Sequence, residues 1–320
     1  MGTKSMGSLV AITVLLVGMG MVSAGVVRQE IEFDERPVVL LLPENFDKGN
    51  GLLLLVLHLH AARGSEKAPD LDLDASGYRD LPGKYRVMVA APRAAFHQTF
   101  RIFAWNSFFS LAGCDSLNAD DVGFLNGLLD ELLDTYPIDP QRVYIYGYSS
   151  GANMAHRMAC ANAERFAGIV AGAGFTLGDP QLCAPSVPIS VLQLHSKGDE
   201  LVLFDGGNIG NFFADPGNSA CKYPGAIELL TQWADRNGCV GELKFGKKPE
   251  IDLTTIVEGK ETTVNKVKYC PNGIDVELWS MEGVPHTPDF FRVGPKGIRT
   301  LAEKSWKFLR KHTRDNDEDD

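Results

Sequence analysis

The segment that most constrains this chain is Gly147-Tyr148-Ser149-Ser150-Gly151. It lies between a β-branched and aromatic run, Arg142 to Tyr146, and a helical run, Ala152 to Cys160. A strand, a GxSxG turn and a helix in that order form a nucleophile elbow, which holds a serine hydroxyl out on a sharp turn. The spacing has a steric cause: small residues beside the serine let the strand and helix backbones approach without a Cβ clash. Ser149 is therefore the candidate nucleophile. The N–H of Ser150, at the start of the following helix, is a candidate oxyanion donor, because an unpaired donor and the helix dipole both favour negative charge there.

With 320 residues the chain has length for two domains, but one α/β domain of this size is common, and so large a core is stable without metal or disulfide. The net charge of −10 argues against a protein that coats nucleic acid or an anionic membrane. Much of that charge is local, in the run Asp315 to Asp320 behind the basic stretch Lys307 to Arg314. At the other end, Lys4 precedes an apolar stretch, Leu9 to Met21, that closes in Val22-Ser23-Ala24, small residues of the kind a signal peptidase prefers. The stretch is short, contains Gly18 and Gly20, and has no basic stop-transfer cluster behind it, which disfavours a membrane anchor. The expected organisation is a signal peptide over residues 1–24, a single catalytic domain over 25–312 and a disordered acidic tail over 313–320. The mature chain is then secreted and extracellular, with no membrane contact after cleavage. In that oxidising setting the six cysteines, Cys114, Cys160, Cys183, Cys221, Cys239 and Cys270, are expected in disulfides, and none has metal-ligand spacing.

Along the chain, Glu30 to Phe33 and Pro37 to Leu42 suit an antiparallel hairpin at a sheet edge. Leu52 to Leu59 is a continuous apolar run that fits a strand buried on both faces, and Arg86 to Ala91 repeats it more weakly. Asp121 to Tyr136 has helical periodicity and leads into the elbow strand. Ala167 to Ala173 and Pro188 to His195 predict two more buried strands, Ala226 to Asn237 a helix, Val276 to Met281 a last strand and Ile298 to His312 a final amphipathic helix. Leu201 to Tyr223, rich in glycine, breaks this rhythm and is expected as a long loop. Alternation of strands and helices predicts the α/β class, with a mostly parallel central sheet and helices on both faces.

A serine hydroxyl is a poor nucleophile at neutral pH, so Ser149 needs a histidine to take its proton and a carboxylate to hold that histidine. In folds with such an elbow the chain order is serine, acid, histidine. His286, in a loop just after the last predicted strand, fits the base. His156 lies inside the elbow helix, His195 precedes the candidate acid, and His312 sits in the charged C-terminal helix. Asp199, directly after a buried strand, fits the acid, with Asp205 the nearest rival. Asp179 sits in a turn-like Gly178-Asp179-Pro180. Glu200 should face solvent if Asp199 turns inward. The second oxyanion donor should come from the loop after an early central strand, here the N–H of Ala61 or Ala62, with His60 ordering that loop.

Together these residues resemble the secreted α/β-hydrolases related to polyhydroxybutyrate depolymerases and to feruloyl or acetylxylan esterases. The resemblance runs from about Val38 to Trp279 and His286. It rests on Leu59-His60, Trp105, Asp121 to Phe124, Ile138 to Tyr144, the elbow with Asn153-Met154, His195 to Asp199, Asp205-Gly206, Tyr223-Pro224 and Trp233 to Cys239. It implies the α/β-hydrolase fold and Ser149, Asp199 and His286 as a triad, the same three chosen from the residues. It also implies Trp105 near the acyl pocket; Tyr148, beside the candidate nucleophile, is the second residue expected at the substrate. Two departures stand out: His60-Ala61 where the family has His-Gly, and Val284-Pro285-His286-Thr287-Pro288 where it has Gly-Gly-His-x-Trp-Pro.

The expected activity is that of a secreted serine carboxylic ester hydrolase working through an acyl-enzyme, with no metal and no cofactor. Its expected partners are ester substrates, small molecules or polysaccharide-linked: feruloyl or acetyl groups on polysaccharides, or short hydroxyalkanoates. The alternatives are a serine peptidase of the same fold and a catalytically silent secreted binding protein on a hydrolase scaffold.

Overall fold

The computed structural model describes residues 18–47, 51–107, 119–176, 179–209 and 221–314. Strands β1 (Gly18–Ser23), β2 (Val26–Phe33) and β3 (Arg36–Pro43) form an antiparallel meander. They lead to β4 (Leu53–Leu59), helix α1 (Ala68–Ser76) and β5 (Val87–Pro92), with a small hairpin of β6 (Phe96–His97) and β7 (Ile102–Phe103) beyond. Next come α2 (Asp121–Thr135), the elbow strand β8 (Ile138–Tyr148), α3 (Ser150–Ala161), β9 (Gly168–Gly172) and β10 (Ser190–Ser196). The chain continues through the paired β11 (Gly206–Asn208) and β12 (Lys222–Pro224), α4 (Ala226–Arg236), β13 (Leu243–Lys244), β14 (Thr262–Val267), β15 (Val276–Met281) and α5 (Thr300–Leu309).

Eleven of these strands make one sheet in the order β1-β2-β3-β5-β4-β8-β9-β10-β15-β14-β13. The six from β5 to β15 in that order are parallel, and the strands on either side of them are antiparallel. The period-2 geometry of a strand explains the apolar run of β4. Leu53, Leu55, Leu57 and Leu59 pack with Leu128 of α2, Met154 of α3 and Leu229 of α4, whereas Val56 faces Leu73 of α1 and Trp306 of α5. The sheet therefore separates two apolar layers, and the α/β-hydrolase architecture expected from the sequence is the one observed.

Differences from the sequence expectation are local. The hairpin, the five buried strands and the four expected helices are present within a few residues of their predicted limits. Helix α1 and strands β13 and β14 had no clear periodic signal. The segment Leu201 to Tyr223 is not wholly loop, because β11 and β12 pair across it; residues 210–220 lie outside the described residues. Part of the leader expected over 1–24 pairs here as β1 at the sheet's outer edge, while residues 1–17 and the acidic run 315–320 are outside the described residues. Among the described residues no helix is long and apolar enough to cross a membrane, and no group of three or more His, Cys, Asp or Glu side chains is placed to hold a metal ion. Cys160 is bonded to Cys183 and Cys239 to Cys270. Cys221 is also in a disulfide, and Cys114 lies outside the described residues.

Three histidines are fully enclosed: His58 on β4, His60 just beyond it and His156 on α3. Burial pushes His58 down to about 3, and His60 and His156 down to about 4, because the charged imidazolium would lose its hydration. In the unfolded chain each returns to its ordinary value of 6.5. Since the folded values lie below the unfolded one, the unfolded chain holds more protons in between, and stability is lost as pH falls through that interval. The free energy of urea unfolding should be level above about pH 7 and fall steeply from about pH 6.5 to 4, with unfolding taking up roughly three protons. A flat profile across that interval would contradict neutral burial of these rings.

Candidate active site

The elbow is built by close backbone approach. A Cβ on Gly147 would lie 2.1 Å from Gly151 O, and one on Gly151 would lie 2.0 Å from Leu59 O. Neither contact can relax by moving a side chain, because both partners are backbone atoms. Ser149, between them, is held at φ 52 and ψ −118, a conformation that L residues seldom adopt. Three hydrogen bonds over-determine that turn: the Ser149 N–H donates to Gly172 O on β9 at 2.7 Å, and Ser149 O accepts from Ala152 N at 2.9 Å and Asn153 N at 3.0 Å.

Strands β8, β10 and β15 run parallel in one sheet, with β9 between β8 and β10, so the turns after them open at one edge. There Ser149 follows β8, Asp199 follows β10 and His286 follows β15. His286 Nε2 lies 3.0 Å from Ser149 Oγ, and His286 Nδ1 lies 2.9 and 2.8 Å from the two oxygens of Asp199. An Nδ1–H donated to the carboxylate leaves Nε2 as an acceptor for the serine proton, the arrangement a general base requires. Asp199 Oδ1 also accepts the N–H groups of Leu201 at 3.0 Å and Val202 at 2.8 Å. Burial by itself would raise the Asp199 carboxyl. The nearby His195 N–H, hydrogen bonds with His286, the His286 charge and the Val202 N–H outweigh it and hold the group below the usual carboxylate range.

The histidine loop is braced at its backbone. Tyr148 O–H donates to His286 O at 2.8 Å, and the His286 N–H donates to Glu200 Oε2 at 3.1 Å. Glu200 is solvent-exposed, as expected once Asp199 turns inward, and its carboxylate also ties down the loop of the base. Nothing in the sequence pattern distinguished that second part.

On the oxyanion side the structure separates the two donors left open by the sequence. The Ala61 N–H donates to Asp72 Oδ2, and Asp72 also pairs with Arg63, so Ala61 is excluded as an oxyanion donor. Among the described residues the N–H groups of Ala62 and Ser150 have no intramolecular acceptor. His60 orders the loop: its Nδ1 lies 2.6 Å from Ala61 O and its Nε2 accepts from Ala94 N at 3.0 Å. Asp72, on the unflagged helix α1, is the residue that sequence reasoning missed.

Trp105 and Tyr148, expected at the substrate, each brace a site loop by hydrogen bonds. Trp105 is 3% exposed, its indole N–H donates to His60 O and its backbone N–H donates to Ser150 Oγ, both at 3.0 Å. It therefore joins the oxyanion loop to the elbow. Buried Asp121 supports this segment by accepting the Asn106 N–H at 2.7 Å while pairing with Arg36. The rivals lie elsewhere. Asp205 is exposed, Asp179 caps a turn through Gln181 N, and His312 sits beside Asp275. His156 is in the core, and His195 lies behind Asp199, with its Nε2 3.6 Å from Asp199 Oδ2.

Comparison with known proteins gives a consistent likeness. Residues 99–211 match the phospholipase/carboxylesterase family. Feruloyl esterase B of Piromyces equi is 30% identical over 198 residues, 60% of this chain and 32% of that protein. The poly(3-hydroxybutyrate) depolymerase of Ralstonia pickettii is 30% identical over 131 residues, 39% of this chain and 26% of that protein. The chain thus spans about a third or less of the length of these relatives. Among solved structures, an acetyl xylan esterase from Aspergillus awamori superposes with a TM-score of 0.55 at 16% identity, covering 86% of this chain and 94% of that one, a likeness of fold.

The elbow geometry is directly testable. Gly151→Ala must displace backbone at the end of β4, so it should destabilise the protein by roughly 1–3 kcal/mol or more, read as a lower midpoint in urea. Unchanged stability would mean that α3 and β4 do not approach as closely as described.

Proposed function

We propose that this chain, an α/β-hydrolase-fold protein related in sequence to feruloyl esterases and poly(3-hydroxybutyrate) depolymerases, is a secreted serine carboxylic ester hydrolase. The observation that carries the reading is the continuous hydrogen-bonded path Ser149–His286–Asp199, formed by residues 137 and 87 positions apart in sequence. His286 Nε2 takes the Ser149 proton as Oγ attacks the ester carbonyl carbon, and Asp199 stabilises the imidazolium that results. The N–H groups of Ser150 and Ala62 receive the developing oxyanion, each donor contributing on the order of 10²–10³ in rate. His286 then returns the proton to the leaving alkoxide. Water, activated by the same imidazole, releases the acid from the acyl-serine.

The substrates proposed are feruloyl or acetyl esters on polysaccharides, or short hydroxyalkanoate esters, in keeping with the relatives. Leu201 and Leu203, exposed beside Asp199, supply apolar surface at the same edge for an acyl group. The domain proposed runs over 25–312, preceded by a leader cleaved after Ala24. Among the described residues, cleavage removes β1 and no other strand, leaving β2 as the edge strand, and the disulfides suit an oxidising compartment.

Hydrolysis of p-nitrophenyl acetate, p-nitrophenyl butyrate and methyl ferulate should be measured beside Ser149→Ala and Asp199→Asn. Ser149→Ala should abolish turnover and labelling by a fluorophosphonate, and Asp199→Asn should lower kcat about 10⁴-fold with the fold intact. A folded wild type inert on all three esters and unlabelled would sink the esterase reading and leave a silent scaffold. For export, Edman sequencing of the protein recovered from the medium should begin at Gly25, and an intact residue 1 would reject the leader.

A further inference from the structure

Behind the carboxylate runs a buried polar chain that the proposed chemistry has not used. Trp233 on α4, His156 on α3, and Gln193 and His195 on β10 are each at most 2% exposed. Trp233 Nε1 lies 3.1 Å from His156 Nδ1, His156 Nε2 lies 2.9 Å from Gln193 Oε1, and Gln193 Nε2 lies 3.3 Å from His195 Nδ1. His195 Nε2 then lies 2.8 Å from Val202 O and 3.6 Å from Asp199 Oδ2.

The direction of this chain follows from one fact of chemistry. An indole nitrogen can only donate, so His156 Nδ1 must accept and the His156 proton must sit on Nε2. That proton goes to Gln193 Oε1, which orients the amide. The two N–H bonds of Gln193 are then directed to His195 Nδ1 and to Gly174 O, the latter at 2.8 Å. His195 Nδ1 is thereby an acceptor, and its proton is placed on Nε2, facing the Val202 carbonyl and the Asp199 carboxylate. Every donor in the series points the same way, and each link is set by the one before it. A reversed His195 would present a lone pair to two oxygens, a repulsive contact in a low-dielectric interior.

We propose that Trp233, His156 and Gln193 are positioning residues that fix the tautomer of His195, so that His195 holds the Asp199 carboxylate and its flanking Val202 turn in the orientation His286 needs. This rests on the reading of Ser149, His286 and Asp199 as a triad. The other polar or titratable groups facing that acid and base are Glu200 on the same turn, Tyr148 on β8 and Tyr223 on β12. None of them belongs to the chain.

Two measurements test the proposal. The first is independent of activity: the imidazole ¹⁵N shifts of the wild type at pH 7 should show His156 and His195 both neutral and protonated on Nε2. Either ring charged, or protonated on Nδ1, overturns it. The second uses Trp233→Phe and Gln193→Leu on the ester that the wild type hydrolyses. Each should lower kcat about tenfold, the size expected when one hydrogen bond to an ionised acceptor is weakened, with KM unchanged. The acid limb of kcat/KM should also move to higher pH, because a less supported Asp199 is more basic and holds the proton on His286 more tightly. If either variant is too unstable to assay, the ¹⁵N result decides. Variants that only lower the unfolding midpoint, with kcat and the pH limb unmoved, would show a purely structural network and overturn the proposal. Ser149→Ala in the same series separates the two readings: if it stays active, the triad itself has failed.

Discussion

The close approach of the elbow to the end of β4 is the contact on which the rest of the site depends. Gly151 sits against the Leu59 and His60 carbonyls with no room for a Cβ, and Gly147 sits against Gly151 in the same way. That contact brings the start of α3 against the end of β4 and the loop that follows it. It also forces Ser149 into its strained turn. The strain is held by three hydrogen bonds to two neighbouring elements, β9 and α3, rather than relieved.

Around that contact the protein uses buried polar side chains mainly to hold backbone. Trp105, Tyr148, Asp72 and Asp121, together with the exposed Glu200, all direct a donor or acceptor at a main-chain group of a site loop. Loops carry many orphan backbone groups, and an unpaired buried one is costly, by about 1–3 kcal/mol. Tyr148 on β8, Asp72 on α1 and Asp121 on α2 satisfy such groups from strands and helices, which gives the loops the rigidity of the scaffold. The departure at His60-Ala61 fits this pattern. The Ala61 N–H is engaged by Asp72, which leaves the N–H of the next residue, Ala62, without an intramolecular acceptor among the described residues.

The likeness to esterases is one of fold across most of the chain and of sequence over a shorter stretch, while the curated relatives are much longer. Ser149, Asp199 and His286 meet in the loops after β8, β10 and β15. Two disulfides lie away from those loops, and each ties an element of the α4 side of the sheet to a neighbour.

What the sequence determined by itself was set by local rules. The elbow was legible because a steric demand leaves its mark in five consecutive residues. The buried strands were legible because a strand covered on both faces must be apolar throughout, and Asp199 and His286 because chain order and strand ends place them. Helix α1 lacked a strong period, and β13 and β14 are short antiparallel additions with polar faces, so neither left a pattern. Tertiary structure alone decided which of Ala61 and Ala62 keeps a free N–H, because that depends on Asp72, eleven residues away on a helix. It also decided that Trp105 and Tyr148 brace loops, and that Trp233, His156, Gln193 and His195 form one line. Those roles rest on where a donor meets an acceptor across separate elements, a distance that residue order does not encode.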